Sequence, residues 1–509
     1  MLRVLAWAVS TILLLLLVGV GIAVFLLQDP NRFKPELIEL IERQTGVAVR
    51  IDGKLAWQLF PPLSLQAEAI QAELDGTQYR LDKLSLDVDL ASVIKTRDLD
   101  RWRVRSLRLE GLQMDTGEGA DSATTHIEYL TLNDFAPGQP SPFSAQLTYR
   151  SGDAAAVPVS LEGLISVTPA LDEITVSKTK FVTTQASGEC ELNAHATGKV
   201  VSDTADSLIP VSVWQGYDWT GDCLFDRVTY EDEEFHNVTL ELSNSAGAST
   251  SVIAIPDFFG GSAQSSIDID TRPEQVFWKI QPDLHNVDSQ ALLSWLGQDL
   301  QWIAPLAYGG SFTMQGNTEA ELINTLRANT QFDGGKGQIS IAQIKQPLLA
   351  LANLFNEGER IQNWPDPWNY ERMTGDWQIH GKTHDLNFAL DNLTATMHGT
   401  YDPLADQLNM QINVTFQDNP GMHSFDVNPL LIDLPIPFQC AGSLEDPSCR
   451  IDPDAMQSLV ASVLRDTKGQ ELIDQLDQKI DEDVPEEYRE AARSLLDLLG
   501  GALKKPRQD

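Results

Sequence analysis

Apolar and polar side chains alternate without a break along Leu408-Asn409-Met410-Gln411-Ile412-Asn413-Val414-Thr415-Phe416. Successive side chains of an extended strand point to opposite faces, so the apolar residues of this run share one face and the polar residues share the other. Such a period of two is typical of a strand with one buried face and one wet face. It predicts an antiparallel sheet.

The same alternation recurs along the chain. Its apolar positions are Leu84, Leu86, Val88 and Leu90; Val238, Leu240 and Leu242; Leu386, Phe388 and Leu390; and Leu393, Ala395 and Met397. Asp402-Pro403, Gly375 and the segment from Gly381 to Asp385 are turn signals between neighbouring runs. We therefore expect an antiparallel meander of four or more strands from Asp376 to Gln417, because joins this short disfavour a parallel sheet.

Helical spacing is confined to a few segments. Pro35 to Gln44 carries apolar residues three and four apart, with Pro35 suited to the first turn and Gly46 to the stop. Ile341 to Phe355 shows a similar pattern, and so does the tail from Asp454 onward. The sequence thus predicts a mainly β protein with a short N-terminal helix and a C-terminal helical tail.

The alternation leaves two architectures open. The apolar face of a sheet can pack against a second sheet in a closed core, or it can remain as an open groove. On alternation alone the closed core is favoured, because two antiparallel sheets commonly pack face to face.

A membrane anchor is predicted at the N-terminus. Val4 to Leu27 contains no charged residue, and Ser10 and Thr11 are its polar residues. A helix of this length covers roughly 36 Å at ~1.5 Å per residue, enough for a hydrocarbon core of ~30 Å. A cleaved signal peptide is disfavoured, because the run ends in Phe25-Leu26-Leu27-Gln28 without small residues at an exit site.

The charge excludes one class of partner. The 509 residues include 36 Lys and Arg against 73 Asp and Glu, a net charge of −37, and 42% of the residues are hydrophobic. A chain this negative repels nucleic-acid phosphates and anionic surfaces, so we predict no nucleic-acid partner. A lipid partner would have to be held by its apolar part.

Four cysteines form two pairs that are local in sequence, Cys190 with Cys223 and Cys440 with Cys449. An even count in this arrangement suits two disulfides in an oxidising compartment. None of the four has C-x-x-C spacing, which argues against a zinc site or thioredoxin-like chemistry. Four unrelated buried thiols are the alternative.

The sequence contains no recognisable set of catalytic residues. Gly334-Gly335-Lys336-Gly337 lacks the spacing of a phosphate-binding loop, and a glycine-rich turn is the better interpretation. His380 and His384 have helical metal-ligand spacing but flank a turn between strands, and Asp268 with Asp270 lacks the rest of a calcium loop. We therefore predict that the protein is not an enzyme and has no catalytic residue, metal site or cofactor.

The segment after the predicted anchor contains Thr45, Gly46, Gly53, Trp57, Phe60 and Pro61. With these residues it resembles the opening of the AsmA family of Gram-negative envelope proteins. The stretch from Phe332 to Gly337, the meander from Met373 to Phe416 and the loop from Cys440 to Cys449 resemble the C-terminal region of the family. The middle, roughly Thr116 to Ser294, carries little resemblance.

The resemblance implies an inner-membrane protein that spans once, with its N-terminus in the cytoplasm and its body in the periplasm. It also implies an elongated, curved antiparallel sheet whose apolar face forms a groove, since the family is similar to bridge-like lipid-transfer proteins. We accordingly divide the chain into an anchor (1–28), an N-terminal β-groove region (29–330), a C-terminal meander region with a helix (331–452) and a helical tail (453–509).

Two functions follow from the resemblance. In the first, the protein binds the acyl chains of a membrane lipid, with a glycerophospholipid as the expected ligand, and supports phospholipid transport and outer-membrane biogenesis. Its groove candidates are Leu84, Leu86, Val88, Leu90, Leu240, Leu386, Phe388, Leu408, Met410, Ile412, Val414 and Phe416. In the second, it is a scaffold that binds no lipid and assists outer-membrane protein assembly through envelope protein partners.

Overall fold

The computed structural model describes the chain from residue 30 to residue 451. Gaps in this description fall at 46–47, 59–62, 75–76, 90–102, 117–122, 152–153, 171, 200–206, 343–344, 346–347, 350–357, 419–423, 428–431 and 445–446. The predicted anchor, the predicted tail, Leu90, Gly46, Phe60 and Pro61 lie outside the described residues. Among the residues that are described, no helix is both long enough and apolar enough to cross a membrane.

The described residues are mainly β. The helices are a 3₁₀ helix (Pro30–Phe33), α1 (Lys34–Thr45), α2 (Val211–Gly216), α3 (Ser289–Trp295), α4 (Glu319–Thr325) and α5 (Gly358–Gln362). The strands of the first half are β1 (Val49–Ile51), β2 (Leu55–Gln58), β3 (Leu63–Leu74), β4 (Thr77–Val88), β5 (Val104–Thr116), β6 (Ala123–Phe135), β7 (Ser141–Ser151), β8 (Val157–Val167), β9 (Glu173–Thr183), β10 (Ala186–Ala196), β11 (Tyr217–Tyr230) and β12 (Glu233–Ser245).

The strands of the second half are β13 (Ala248–Phe258), β14 (Gly261–Asp270), β15 (Phe277–Asp288), β16 (Trp302–Ile303), β17 (Pro305–Gln315), β18 (Arg327–Ile339), β19 (Trp368–His380), β20 (Thr383–Leu390), β21 (Leu393–Asp402), β22 (Gln407–Phe416), β23 (Ile436–Gly442) and β24 (Pro447–Ile451). The helix predicted at Pro35–Gln44 is confirmed by α1. The meander predicted from Asp376 to Gln417 is confirmed by β19 to β22.

Contacts divide the chain into two units. The N-terminal unit comprises Met1–Val201 and Ser212–Ala246, and the C-terminal unit comprises Ser202–Val211 and Gly247–Asp509. The four-part division predicted from the sequence remains a prediction, and its boundary at 330/331 falls inside β18.

The N-terminal unit is an antiparallel sheet built almost entirely from neighbours in sequence. Both β1 and β2 pair with β3, and from β3 to β12 each strand pairs with the next. The 3₁₀ helix and α1 lie against β1 and β2, where the Asn31 side chain accepts a hydrogen bond from the backbone N–H of Leu55 at 3.0 Å.

One row of this sheet carries an extra residue in each of four adjacent strands. There the apolar side chains stand three apart instead of two, at Ala67/Ile70, Leu81/Leu84, Leu109/Leu112 and Ile127/Leu130. The extra residue of β5 is Gly111, with φ +66°, where a β-carbon would lie 2.2 Å from the Asp82 carboxylate. Because the step occurs in all four strands, the apolar residues on both sides of it stay on one face.

The C-terminal unit is also an antiparallel meander. β13, β14, β15, β17 and β18 pair in that order, the short β16 pairs with β18, and β18 to β24 each pair with the next strand. Of the helix predicted at Ile341–Phe355, the described residues Ala342, Lys345, Leu348 and Leu349 are helical. The N–H of Lys345 donates to the carbonyl of Ile341 at 2.8 Å.

A closed apolar cluster covers part of this second sheet. Trp364 and Phe425 come from segments outside the strands, and their rings lie 4.9 Å apart over Phe416 of β22. Leu348, Tyr370, Met373, Leu390, Leu393 and Ile436 are also buried in the cluster. It is the main buried core of the described C-terminal unit.

Two glycine predictions are wrong. Gly375 lies within β19, and Gly334 to Gly337 lie within β18. At Gly337 a β-carbon would come within 2.4 Å of the Ile303 carbonyl and 2.6 Å of the Tyr370 hydroxyl, and at Gly375 it would meet the ring of Phe332. Close approach of neighbours explains these glycines, and the pairing of β18 with β19 shifts register around Gly335 instead of turning back.

Candidate functional site

One row of apolar residues crosses ten strands of the N-terminal unit. Each member lies opposite the next in the strand register, and together they form the N-terminal row: Ala67, Leu84, Leu109, Leu130, Ala145, Leu161, Phe181, Gly188, Phe225 and Val238. Residues that face each other across paired strands project from the same side of a sheet. The sheet therefore has one apolar face, as the alternation predicts.

The large side chains on this face are half-buried, whereas those of a closed core would be buried. Leu84, Leu109, Leu130 and Leu161 all keep intermediate exposure. The fully buried apolar residues among those described in this unit are few and mostly small or near its ends: Ile51, Leu55, Ala67, Val88, Ala136, Ala145, Phe235 and Val238. Toward one end of the face, Ile174, Leu192 and Tyr217 are 41%, 39% and 47% exposed.

A second row crosses ten strands of the C-terminal unit. The C-terminal row consists of Ile255, Ala263, Leu284, Tyr308, Phe332, Gly375, Phe388, Ala395, Val414 and Ile436. Its last three members are buried in the closed cluster, whereas Leu284, Tyr308, Phe332 and Phe388 keep intermediate exposure. In this unit the apolar face is therefore closed at one end of the row and uncovered along the rest.

Each unit has a concavity along its row. In the C-terminal unit a concavity of about 620 Å³ is lined by Leu284, Tyr308, Phe332 and Phe388 together with flanking polar residues such as Asp283 and Asn387. In the N-terminal unit a concavity of about 680 Å³ is lined by residues of β9 to β12, including Phe181, both members of a disulfide, and Leu240. Volumes of this size fall within the range of small-molecule sites.

The opposite face carries the charges. Arg108 donates to the Glu110 carboxylate at 2.6 Å, and Lys336 donates to Glu371 at 2.7 Å. Hydrogen bonding from Arg108 lowers the pKa of Glu110, and hydrogen bonding from Arg272 lowers the pKa of Asp270. Exposed pairs of this kind contribute little to stability, so this face mainly keeps the sheet solvated.

The structure places the predicted groove residues in two environments. Leu84, Leu86, Leu240, Leu386, Phe388, Leu408, Met410 and Ile412 lie on the apolar faces with intermediate exposure. Val88, Val414 and Phe416 are 6%, 5% and 0% exposed, and the last two belong to the closed cluster. A ligand on the uncovered face would therefore contact the first group and not Val414 or Phe416.

Both predicted disulfides are present. Cys190 bonds to Cys223, Cys440 bonds to Cys449, and no free cysteine remains among the described residues. In each pair the two residues lie directly opposite each other on adjacent strands. Cys223 faces Leu240 and Cys440 faces Met410, so both disulfides share a face with the apolar residues.

The described motif residues have a structural explanation. Gly53 lies between β1 and β2, and its N–H donates to the Glu68 carbonyl at 3.1 Å. A β-carbon there would come within 2.5 Å of that carbonyl oxygen, and the Lys34 ammonium donates to the carbonyl of Gly53. Trp57 of β2 faces Leu65 of β3, and Thr45 ends α1.

The two histidines singled out in the sequence are separated by a hairpin. His380 ends β19, His384 follows the start of β20, and the described residues contain no group of side chains able to hold a metal ion. His384 is 8% exposed on the apolar face, where it faces Ile379 and Gly399. Its Nδ1 atom is buried without a hydrogen-bond partner, and burial lowers the pKa of the imidazole.

Comparison with known proteins supports the resemblance at the N-terminus. Residues 1–118 match the sequence model of the AsmA family. This part of the chain is therefore similar to that family. Protein AsmA of Escherichia coli (strain K12) is 30% identical to it over 86 residues, which are 16% of this chain and 14% of that relative. The chain thus aligns with a small part of the relative's length, and no solved structure matches it significantly. The resemblance inferred from Gly53 and Trp57 is confirmed.

Proposed function

We propose that the protein binds lipid acyl chains on the apolar faces of its sheets and supports phospholipid transport between envelope membranes. The observation that carries the proposal is the half-buried state of Leu84, Leu109, Leu130 and Leu161 in the N-terminal row. A contiguous apolar surface of this kind is costly to leave in water and marks an interaction site.

The chemistry of the two faces suits an amphiphile. Burial contributes about 0.8 kcal/mol for each CH₂ group, so acyl chains can be held without any charged contact. Ten strands at ~4.8 Å spacing give the N-terminal row a length of roughly 43 Å, which exceeds the ~30 Å hydrocarbon thickness of a bilayer. The charged residues lie on the other face. A polar head group would therefore remain in solvent.

The match of residues 1–118 to the AsmA family and the two disulfides support the location. We propose that Val4–Leu27 anchors the chain in the inner membrane and that the body lies in the periplasm, where Cys190–Cys223 and Cys440–Cys449 would stay oxidised.

Site-specific photocrosslinking tests the proposal. A photoreactive amino acid at Leu84, Leu109 or Met410 should capture phospholipid, because these side chains lie on the uncovered apolar face. The matched controls are Ser85, Arg108 and Gln411, which are the sequence neighbours on the opposite face. Equal labelling of both sets would contradict lipid binding on this face. A lipid-free preparation that holds a stable protein partner would favour the scaffold function.

A further inference from the structure

His384 interrupts the apolar face of the C-terminal unit with a polar group. Its neighbours on that face are Ile379, Leu386 and Gly399, and the side chain is 8% exposed. Its Nδ1 atom has no hydrogen-bond partner. The nearby buried Thr330, on the same face, donates to the Trp377 carbonyl at 3.4 Å. A buried polar atom without a partner destabilises the folded state, which favours a position where a bound ligand supplies the missing hydrogen bond.

The surroundings of His384 change from apolar to polar within one hairpin. Its ring lies 5.6 Å from Trp377 and 6.2 Å from Tyr401. Beyond it, the strands end at the β19–β20 turn, where Lys382 donates to Asp402 at 2.7 Å. His384 therefore lies between the wet rim of the sheet and its apolar interior.

In the other direction, apolar residues lead away from His384 along β20. Leu386, Phe388 and Leu390 follow on the same face, and Leu390 is buried in the closed cluster. At ~3.4 Å per residue, Leu390 lies about 20 Å from His384 and Phe388 about 14 Å. One leaflet of a bilayer core is roughly 15 Å deep, so an acyl chain fits between His384 and the cluster.

We propose that His384 hydrogen-bonds the ester or hydroxyl group at the glycerol of a glycerolipid whose acyl chains run along β20 toward Leu390. The head group then leaves the face at the rim formed by Lys382 and Asp402. This inference rests on the proposed function and adds the ligand class, the polar contact and the direction of the lipid.

The protonation state of His384 favours an uncharged contact. Burial lowers its pKa, so the ring is neutral at pH 7 and offers one donor and one acceptor. A glycerol ester oxygen accepts from such a ring, and a glycerol hydroxyl can donate or accept. A phosphate would lack a cationic partner at this position, and it would remain at the rim.

The test compares ester and ether lipids on the full purified chain. The probes are dioleoylphosphatidylethanolamine, its dialkyl ether analogue and dioleoylglycerol, and retained lipid is measured by mass spectrometry after gel filtration. Wild type should bind the ester phospholipid roughly three- to tenfold more tightly than the ether analogue, the effect of one hydrogen bond. Dioleoylglycerol separates the glycerol contact from the phosphate, because it should be held about as well as the ester phospholipid.

Two variants separate ligand contact from structural support. His384→Phe keeps a ring but removes the polar atoms, so it should bind ester and ether lipids equally. His384→Asn keeps a polar atom near the position of Nδ1 and should retain the preference within about twofold. A purely structural role would change the melting temperature without changing the ratio of ester to ether lipid.

Each outcome has a distinct meaning. If wild type retains none of the probes, the proposed function fails. If wild type retains them and His384→Phe keeps the full ester preference, the inference about His384 fails and the proposed function stands. A phospholipid with a diazirine at the chain end should label the peptide containing Phe388, and one with a diazirine beside the ester should label the peptide containing Tyr401. The reverse pattern would overturn the direction.

Discussion

Phe332 lies over the bare α-carbon of Gly375, directly opposite it in the pairing of β18 with β19. A β-carbon on Gly375 would come within 2.3 Å of the Cε1 atom of Phe332 and 3.0 Å of the Asn387 carbonyl oxygen. The ring of Phe332 also lies 6.3 Å from that of Phe388, so the glycine lets two aromatic residues of the C-terminal row approach each other.

Gly375→Ala should therefore destabilise the C-terminal unit. The added methyl group forces Phe332 to move, and overpacking of this kind costs about 1–3 kcal/mol. Urea unfolding followed by tryptophan fluorescence measures the change. Gly309→Ala is the matched control on β17, because a β-carbon there meets its first neighbour at 3.7 Å.

A second substitution tests the cause. Phe332→Leu in the Gly375→Ala background should recover part of the loss, because the smaller side chain clears the methyl group. A double-mutant cycle with no coupling between the two positions would show that the cost of alanine at Gly375 has another origin.

Much of the sheet could be predicted because alternation is a local signal. β20, β21 and β22 follow from their period of two, and α1 follows from Pro35 and its helical spacing. The role of a glycine is less well encoded by the local sequence. A glycine that ends a strand and a glycine that admits a neighbouring ring look alike in one sequence, and Gly375 and Gly337 are of the second kind.

The closed cluster could not be predicted from periodicity. Trp364 and Phe425 lie outside the strands and 61 positions apart in sequence, yet their rings lie 4.9 Å apart. The extra residues of β3 to β6 are visible in the sequence. At Leu81/Leu84 and at Leu109/Leu112 the spacing between apolar residues is three, whereas it is two in the alternating runs on either side. The exposure of the apolar face depends on what packs against it, which alternation does not encode.

Asp391 holds the cluster in place through three hydrogen bonds. Its carboxylate accepts from the indole N–H of Trp368 at 3.1 Å and from the backbone N–H groups of Glu371 and Arg372 at 2.9 and 3.1 Å. Asp391→Ala should lower the free energy of unfolding by about 2–3 kcal/mol, since it removes the acceptor of all three hydrogen bonds. Denaturant titration gives the value.

Two further substitutions at this position separate the contributions. Asp391→Asn keeps an oxygen for the backbone donors and should cost less than alanine. Because Asp391 has φ +50°, Asp391→Gly removes backbone strain and should also cost less than alanine. If all three variants were as stable as wild type, the hydrogen bonds would contribute nothing measurable.

The two disulfides should stabilise the chain unequally. In the chain-entropy model a bond that closes a longer loop restricts the unfolded state more. Cys440 and Cys449 are 9 residues apart, and Cys190 and Cys223 are 33 apart. Replacing both Cys440 and Cys449 by alanine should lower the free energy of unfolding by about 2–3 kcal/mol. The same change at Cys190 and Cys223 should lower it by about 3–4 kcal/mol.

Guanidinium unfolding of the two double variants checks this order. Thiol titration of the unfolded wild-type protein is the control and should detect no free thiol. If the free energy of unfolding fell more in the Cys440/Cys449 variant than in the Cys190/Cys223 variant, local packing around Met410 would outweigh loop entropy.

His384 should make the C-terminal unit sensitive to pH. Burial lowers its pKa below 6.5, and the nearby Asp385 carboxylate opposes this only in part. At pH values between the lowered pKa and 6.5, the imidazole is protonated in the unfolded chain and neutral in the folded chain. The free energy of unfolding therefore falls as the pH drops below 6.5. Urea titrations from pH 7.5 to 5 measure this slope.

Variants of the same residue isolate its contribution. His384→Asn and His384→Phe cannot take up that proton, so their stability should change less with pH over this window than that of wild type. Carboxylates such as Asp270, whose pKa is lowered by Arg272, lose their contribution only below about pH 4, outside the window. A pH slope equal in wild type and both variants would mean that His384 titrates alike in the folded and unfolded chains. It would also remove the argument for a neutral ring facing the glycerol of a lipid.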